Sequence, residues 1–191
     1  DYDSEFRYKG KPIPALQGYD VGGKVIYLGT FSRSIAPSIR ISYMVLPRQL
    51  LKVYREKGRI FSSTVSRVDQ LIISRFLSEG YYERHLNRMR AIYKSRHDVL
   101  LAHLQSLEGI CRISGENAGV HLLIHFQNGM TESRAVELAK LENIKVYGLS
   151  GCSIGPLRQV DTGTVILGYA TLGEEKIAKA AERLCHVWLQ E

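Results

Sequence analysis

The chain is organised around residues 29–40, whose sequence is GTFSRSIAPSIR. Two short apolar runs flank this stretch, VIYL at 25–28 before it and ISYMVL at 41–46 after it. Short runs that are rich in Val, Ile and Tyr and bounded by Gly or Pro are typical of β-strands. The sequence therefore predicts a tight turn between two strands.

This turn carries the chemistry of an anion site, because hydroxyls and guanidinium groups suit a phosphate or a carboxylate. The side chains in question are Thr30, Ser32, Arg33 and Arg40. The alternative is a solvated hairpin loop with its arginines in water, and the residue types alone favour that alternative, since isolated motif matches are mostly false.

Further blocks of sequence lie on both sides of the turn. They are DYDSEFRY at 1–8, PIPAL at 12–16, HLNRMRAIY at 85–93 and Arg96. Together with the turn, and with the spacing kept between blocks, they resemble the aminotransferase-like domain of the MocR subfamily of GntR-type transcription regulators. The resemblance runs through nearly the whole chain.

The resemblance implies an α/β fold: the C-terminal part of a fold-type I pyridoxal-phosphate-dependent transferase. Residues 1–82 would form the C-terminal half of the large, cofactor-binding domain. Residues 83–191 would form a long linking helix and a small C-terminal α/β domain. A helix-turn-helix domain, a linker and the first half of the large domain are expected to precede residue 1 in a longer protein.

The resemblance also assigns roles to site residues. Tyr2 would lie beside the ring hydroxyl of pyridoxal phosphate, and Asp1 is the acid nearest the position that binds the pyridinium nitrogen. Thr30, Ser32 and Arg40 would contact the phosphate. Arg158 is the candidate for the substrate carboxylate, on a poor local match.

Arg33 is the main departure from the family, because it occupies the position of the Schiff-base lysine. A guanidinium stays charged and is a very poor nucleophile, whereas a lysine amine can lose its proton. We therefore expect non-covalent cofactor binding at best, and no transaminase activity in the chain as it stands. Whether the protein is an enzyme stays open at this point.

Three functions follow as alternatives. The first is a domain of a GntR/MocR-type regulator that senses pyridoxal phosphate or a small amino compound. The second is a pyridoxal-phosphate-dependent aminotransferase of class I or II, and the third is a structural remnant that only dimerises. A homodimer is expected, with DNA bound only through an absent N-terminal domain.

Composition excludes several other classes. The 191 residues are 45% hydrophobic, which is enough for a buried core, and their formal net charge of +7 favours anionic partners. The basic residues are spread along the chain without a nucleic-acid motif. No apolar run approaches the ~20 residues that a membrane helix needs. Three cysteines without C-x-x-C spacing predict reduced thiols in a cytoplasmic protein, and we expect no metal site.

The remaining pattern predicts alternating helices and strands. Helices are expected over residues 47–56, 63–79, 82–107, 131–142 and 174–189. Strands are expected over 111–114, 120–126, 144–147 and 165–169. His121 and His125 would share one strand face, as an exposed or hydrogen-bonded pair without the third ligand that a metal requires.

Overall fold

The computed structural model describes residues 5–11, 13–154 and 163–191. The chain forms two compact units, residues 1–89 and 90–191. Helix α4 (Tyr81–Leu104) runs through the boundary between them. The domain boundary expected after residue 82 falls in the first turn of the same helix and stays a prediction.

The first unit contains a two-stranded antiparallel sheet and its helices. Its elements are β1 (Tyr27–Thr30), α1 (Phe31–Ser34), β2 (Ser42–Val45), α2 (Arg48–Lys57) and α3 (Arg67–Ser78). The strands pair in the register Thr30 with Ser42 and Tyr27 with Val45. The predicted strand–turn–strand arrangement is therefore confirmed.

The second unit is a four-stranded sheet with helices. Its elements are β3 (Cys111–Ser114), β4 (His121–Phe126), α5 (Glu132–Leu141), β5 (Tyr147–Gly148), β6 (Thr164–Gly168) and α6 (Glu174–Trp188). The strand order is β3-β4-β6-β5, and each neighbouring pair is antiparallel.

The core of the second unit centres on Trp188, which is fully buried. Its indole N–H donates to the carbonyl of Ala135 at 3.1 Å, and its ring meets Phe126 edge to face at 5.2 Å. On β4, Leu122 and Ile124 point into this core, as the alternation along that strand predicts. One apolar cluster thus joins α5, α6 and the sheet.

The strand predicted over residues 144–147 is displaced, because the structure places β5 at Tyr147–Gly148. Residues 143 and 144 are used to close α5. Asn143 adopts a left-handed conformation with φ of 58°, and its N–H donates to Lys140 while the N–H of Ile144 donates to Ala139. This pattern is a Schellman motif, which satisfies the last helical carbonyls.

Candidate functional site

The turn between β1 and β2 is shaped by an aromatic ring that lies against a glycine. Gly29 pairs with Tyr43 across the two strands. A Cβ added at Gly29 would lie 2.3 Å from Cζ of Tyr43, so no larger residue fits without moving the ring. The ring of Tyr43 also packs on Phe31 at 5.0 Å, which holds the start of α1 against the sheet.

Thr30 is the N-cap of α1. Its Oγ1 accepts the N–H of Ser32 at 3.2 Å and donates to the carbonyl of Ile41 at 3.2 Å. The N–H of Phe31 donates to the same carbonyl at 2.9 Å. The Thr30 hydroxyl is therefore engaged in building the turn, and its assignment to the cofactor phosphate stays a prediction.

The other predicted phosphate-side residues lie on the same loop. Ser32 is half-buried in the first turn of α1, and the next residue, Arg33, is exposed. Arg40 is also exposed and begins the approach to β2. Its φ of 52° lies in the left-handed region, which costs a non-glycine residue about 1 kcal/mol or more.

This donor set suits a phosphate group. It offers one hydroxyl and two guanidinium groups within nine residues, and planar guanidinium groups bind phosphate oxygens through paired hydrogen bonds. Among the described residues, no ion pair or hydrogen bond involves Arg40. The strained backbone at an available cation is the kind of feature that accumulates at binding sites.

Sequence analysis missed a group of phenols that supports the loop. The phenol of Tyr43 hydrogen-bonds Tyr27, and burial together with that bond raises the pKa of Tyr43 to about 12. Tyr82 meets Phe31 edge to face at 6.1 Å and hydrogen-bonds the buried Ser34; burial raises the pKa of Tyr82. With raised pKa values, Tyr43 and Tyr82 remain protonated at neutral pH and act as neutral hydrogen-bonding groups.

Three predicted site residues lie outside the described part of the chain: Asp1, Tyr2 and Arg158. Their roles beside the ring and at the substrate carboxylate stay predictions.

Another polar cluster lies in the second unit, at a cleft of about 740 Å³. Glu132 is buried there and accepts hydrogen bonds from the N–H and the hydroxyl of Ser150. A Cβ at position 148 would lie 2.2 Å from the carboxylate of Glu132, so glycine is needed there to leave room for that side chain. The carboxylate therefore fixes the loop after β5, a role that sequence spacing did not reveal.

The four-stranded sheet of the second unit carries a hydrogen-bonded histidine, His125, on its polar face, as expected. Nε2 of His125 lies 2.7 Å from the hydroxyl of Ser114, and Nδ1 lies 3.0 Å from the hydroxyl of Thr164. Burial, with a smaller effect of nearby Arg112, lowers the pKa of His125. Among the described residues, no cluster could hold a metal ion.

No helix within the described ranges is long and apolar enough to span a lipid bilayer.

The helices and strands of the two units are those of an α/β protein whose early loop presents hydroxyl and guanidinium groups. The chain belongs to the aminotransferase class I and II family, whose model matches residues 4–184.

The most similar relatives include transcription regulators. YhdI of Bacillus subtilis, an uncharacterized HTH-type transcriptional regulator, is 39% identical over 98% of this chain and 40% of its own length. MocR of Rhizobium meliloti, a probable rhizopine catabolism regulatory protein, is 34% identical over 99% of this chain and 38% of its own length. The resemblance to MocR-type regulators is thus confirmed, and the chain spans about two fifths of these relatives.

A solved structure supports the fold. Kynurenine aminotransferase of Pyrococcus horikoshii, in complex with PMP, matches with a TM-score of 0.81 and 26% identity, over 98% of this chain and 46% of the other. The predicted fold, the C-terminal part of a fold-type I pyridoxal-phosphate-dependent transferase, is confirmed. That neighbour carries the aminated form of the cofactor that the resemblance implied.

Proposed function

We propose that this chain is the aminotransferase-like sensing part of a GntR/MocR-type transcription regulator that binds pyridoxal phosphate without covalent attachment. The proposal is supported by the regulators among its relatives and by the family match over residues 4–184. DNA would be bound chiefly by a helix-turn-helix domain outside this chain. As a regulator, the protein would act in the cytoplasm.

The cofactor phosphate would be held by Ser32 and Arg40, with Arg33 as a further cation. Thr30 would contribute through the turn that it caps, and through its hydroxyl if that hydroxyl turns from Ile41 to the ligand. When bound, pyridoxal phosphate supplies an aldehyde that reacts with amines and a ring that withdraws electrons. The residues of the loop would orient that group through its phosphate.

Arg33 is the observation that carries the distinction between sensor and enzyme. Thr30 caps α1, and Arg33 is the third residue of that helix. The family resemblance places the Schiff-base lysine at this position. A guanidinium keeps its proton at physiological pH, so it neither attacks the aldehyde nor accepts a proton from carbon. It does provide a permanent positive charge for a phosphate or a substrate carboxylate.

The effector would be pyridoxal phosphate itself or a small amino compound that reacts with it. Binding can change the regulator only if the ligand favours one of two conformations. The effector would therefore bind the two conformations of the full-length protein with different affinities, and DNA occupancy would report that difference.

A borohydride reduction experiment tests the absence of covalent attachment. The chain and its Arg33→Lys variant are incubated with pyridoxal phosphate, reduced and analysed by peptide mass spectrometry. We expect a stoichiometric adduct on residue 33 of the lysine variant, and on the parent chain only the substoichiometric labelling of surface lysines that Arg33→Gln shows as well. Arg33→Gln is the control, because it removes the charge without adding an amine.

A stoichiometric reduced adduct on one lysine of the parent chain would contradict the assignment and favour an aminotransferase. Calorimetry supplies the second measurement, with pyridoxal phosphate titrated into the parent chain and into Arg40→Gln. Binding that weakens in the variant supports the phosphate role of Arg40. Heat changes that are the same in both proteins would place the phosphate elsewhere.

A homodimer is the proposed assembly. Helix α3 exposes Val68, Leu71 and Ile72, which are 66%, 56% and 58% exposed and share one stripe of the helix. Exposed apolar stripes of this kind mark protein contacts. Sedimentation should therefore show a dimer that Leu71→Glu dissociates, and Asp69→Lys is the control on the same helix.

A further inference from the structure

Helix α2 carries a stripe of positive charge. Arg48, Lys52 and Arg55 are exposed and stand at positions i, i+4 and i+7 of this ten-residue helix. Because an α-helix has 3.6 residues per turn, side chains at this spacing project from one side. We call these three residues the α2 stripe.

The stripe has no anionic partner in its own chain. Among the described residues, none of the three side chains takes part in an ion pair or a hydrogen bond. The single acid of α2 is Glu56, and no contact joins it to Lys52 four residues earlier. The cations are therefore available to an anion outside the chain.

Three apolar residues of α2 lie on the other side of the helix: Leu50, Val53 and Tyr54. Leu51 lies beside the α2 stripe, three residues after Arg48 and four before Arg55, and is half-buried. The two sides are separate, so a partner that covers the apolar side leaves the α2 stripe in water. The α2 stripe is therefore a row of charge beside the half-buried Leu51, with the exposed apolar side chains of the helix on its other side.

We infer that the α2 stripe contacts the sugar–phosphate backbone of duplex DNA. The inference rests on the proposed function, in which the protein works on DNA. The linear sequence predicts DNA contact only through a separate N-terminal domain, because the basic residues are spread along the chain without a nucleic-acid motif. Folding gathers three of them into a row that the linear sequence does not make obvious.

The dimensions of the stripe suit a DNA strand. A rise of about 1.5 Å per residue places the first and last cations about 10 Å apart along the helix axis. One strand of DNA carries a phosphate about every 3.4 Å along its axis, so the row faces about three phosphates. Contacts of this type add affinity and position the protein without selecting a sequence.

DNA fits the observations better than an anionic membrane. A surface-bound membrane helix inserts its apolar side into the lipid, with Trp, Phe and Leu on that side and often over a longer helix. The apolar side of α2 consists of Leu50, Val53 and Tyr54, without Trp or Phe, and the helix has ten residues. The relative YhdI is also named as an HTH-type transcriptional regulator.

Fluorescence anisotropy with the 191-residue chain tests the inference. The probe is a labelled mixed-sequence duplex of about 20 base pairs, two turns of DNA, at salt from about 50 to 200 mM. The test variant is Arg48→Gln/Lys52→Gln/Arg55→Gln. The matched control is Lys24→Gln/Lys140→Gln/Lys176→Gln, which removes three exposed charges that do not form a row.

We expect the parent chain to bind with a steep salt dependence. The test variant should lose about three units of the slope of log K against log salt, and about tenfold or more in affinity at low salt. The control should change by less than about threefold on the same scale. Gln is a good helix former, and matching far-UV circular dichroism establishes that α2 is retained.

Several outcomes overturn the inference. These are no binding by the parent chain, equal losses in the two triple variants, or stripe-dependent binding to phosphatidylserine vesicles without binding to the duplex. The single variant Lys52→Gln, with an expected slope change of about one unit, keeps the test decisive if the triple variant misfolds. Binding of pyridoxal phosphate is measured separately, so failure here leaves the proposed function standing.

Discussion

Replacing Arg40 by glycine should make the loop more stable and the site weaker. The residue has φ of 52° and ψ of 30°, a conformation that glycine adopts freely and that disfavours other residues by about 1 kcal/mol. Arg40→Gly relieves this cost but removes a cation that suits phosphate. Arg40→Ala removes the same cation and keeps the backbone cost.

The difference between the two variants isolates the backbone effect. It should be about 1 kcal/mol, a factor of about five in local opening. Hydrogen exchange of the Phe31 and Ile39 amides measures it, since these donate to Ile41 and Ala36 at 2.9 and 3.1 Å within the same loop. Exchange should be slower in Arg40→Gly than in Arg40→Ala.

Binding of pyridoxal phosphate gives the second readout. Both variants should lose about tenfold in affinity, because a hydrogen bond to a charged group contributes about 1.5–3 kcal/mol and Arg40 is exposed. Arg40→Lys should retain part of that affinity. Equal exchange rates in Arg40→Gly and Arg40→Ala would refute the strain argument, and unchanged binding in both would refute the phosphate role.

Three further predictions concern the second unit. Trp188→Phe should lower the free energy of unfolding by about 1–3 kcal/mol in urea, because it removes the buried hydrogen bond to Ala135 and leaves a cavity beside Phe126. The lowered pKa of His125 means that the unfolded chain takes up a proton first, so stability should fall as the pH drops below about 6.5; His125→Gln should reduce that fall in urea midpoints. Thiol titration of the native chain should label the exposed Cys152 quickly and Cys111 slowly, since burial raises the pKa of Cys111 to about 11.

Local sequence patterns predicted helices and strands well where the residues of the pattern also make the contacts that stabilise the element. The helix expected over residues 131–142 begins at Thr131, whose hydroxyl caps α5 by accepting the N–H of Arg134 at 3.2 Å. Thr30 shows the limit of this reasoning. Its hydroxyl suits either a helix cap or a phosphate, and the sequence does not say which partner receives its proton.

Other features depend on contacts between distant residues. The need for a glycine at position 29 could not be predicted from its neighbours in sequence, because the Tyr43 ring that requires it comes from the facing strand. The row of cations on α2 likewise becomes distinct only when the helix period is applied to it. No sequence motif predicted the buried Glu132 beside the loop after β5, or the hydrogen-bonded phenols of Tyr43 and Tyr82.

The two units differ in how well each buries its own apolar side chains. The large core cluster lies within residues 100–188, all in the second unit. The described part of the first unit buries only Phe6 and Ile73 among its apolar residues, while β2 is exposed along its whole length. Full burial of a large apolar side chain contributes about 1.5–3 kcal/mol, so the first unit lacks much of the stabilisation that the second has. Amides of β1 and β2 should therefore exchange much faster than those of β4 and β6 in the isolated chain, and dimerisation through α3 should slow them more than it slows β4. Equal protection of the two sheets would show that the exposed apolar side chains need no partner.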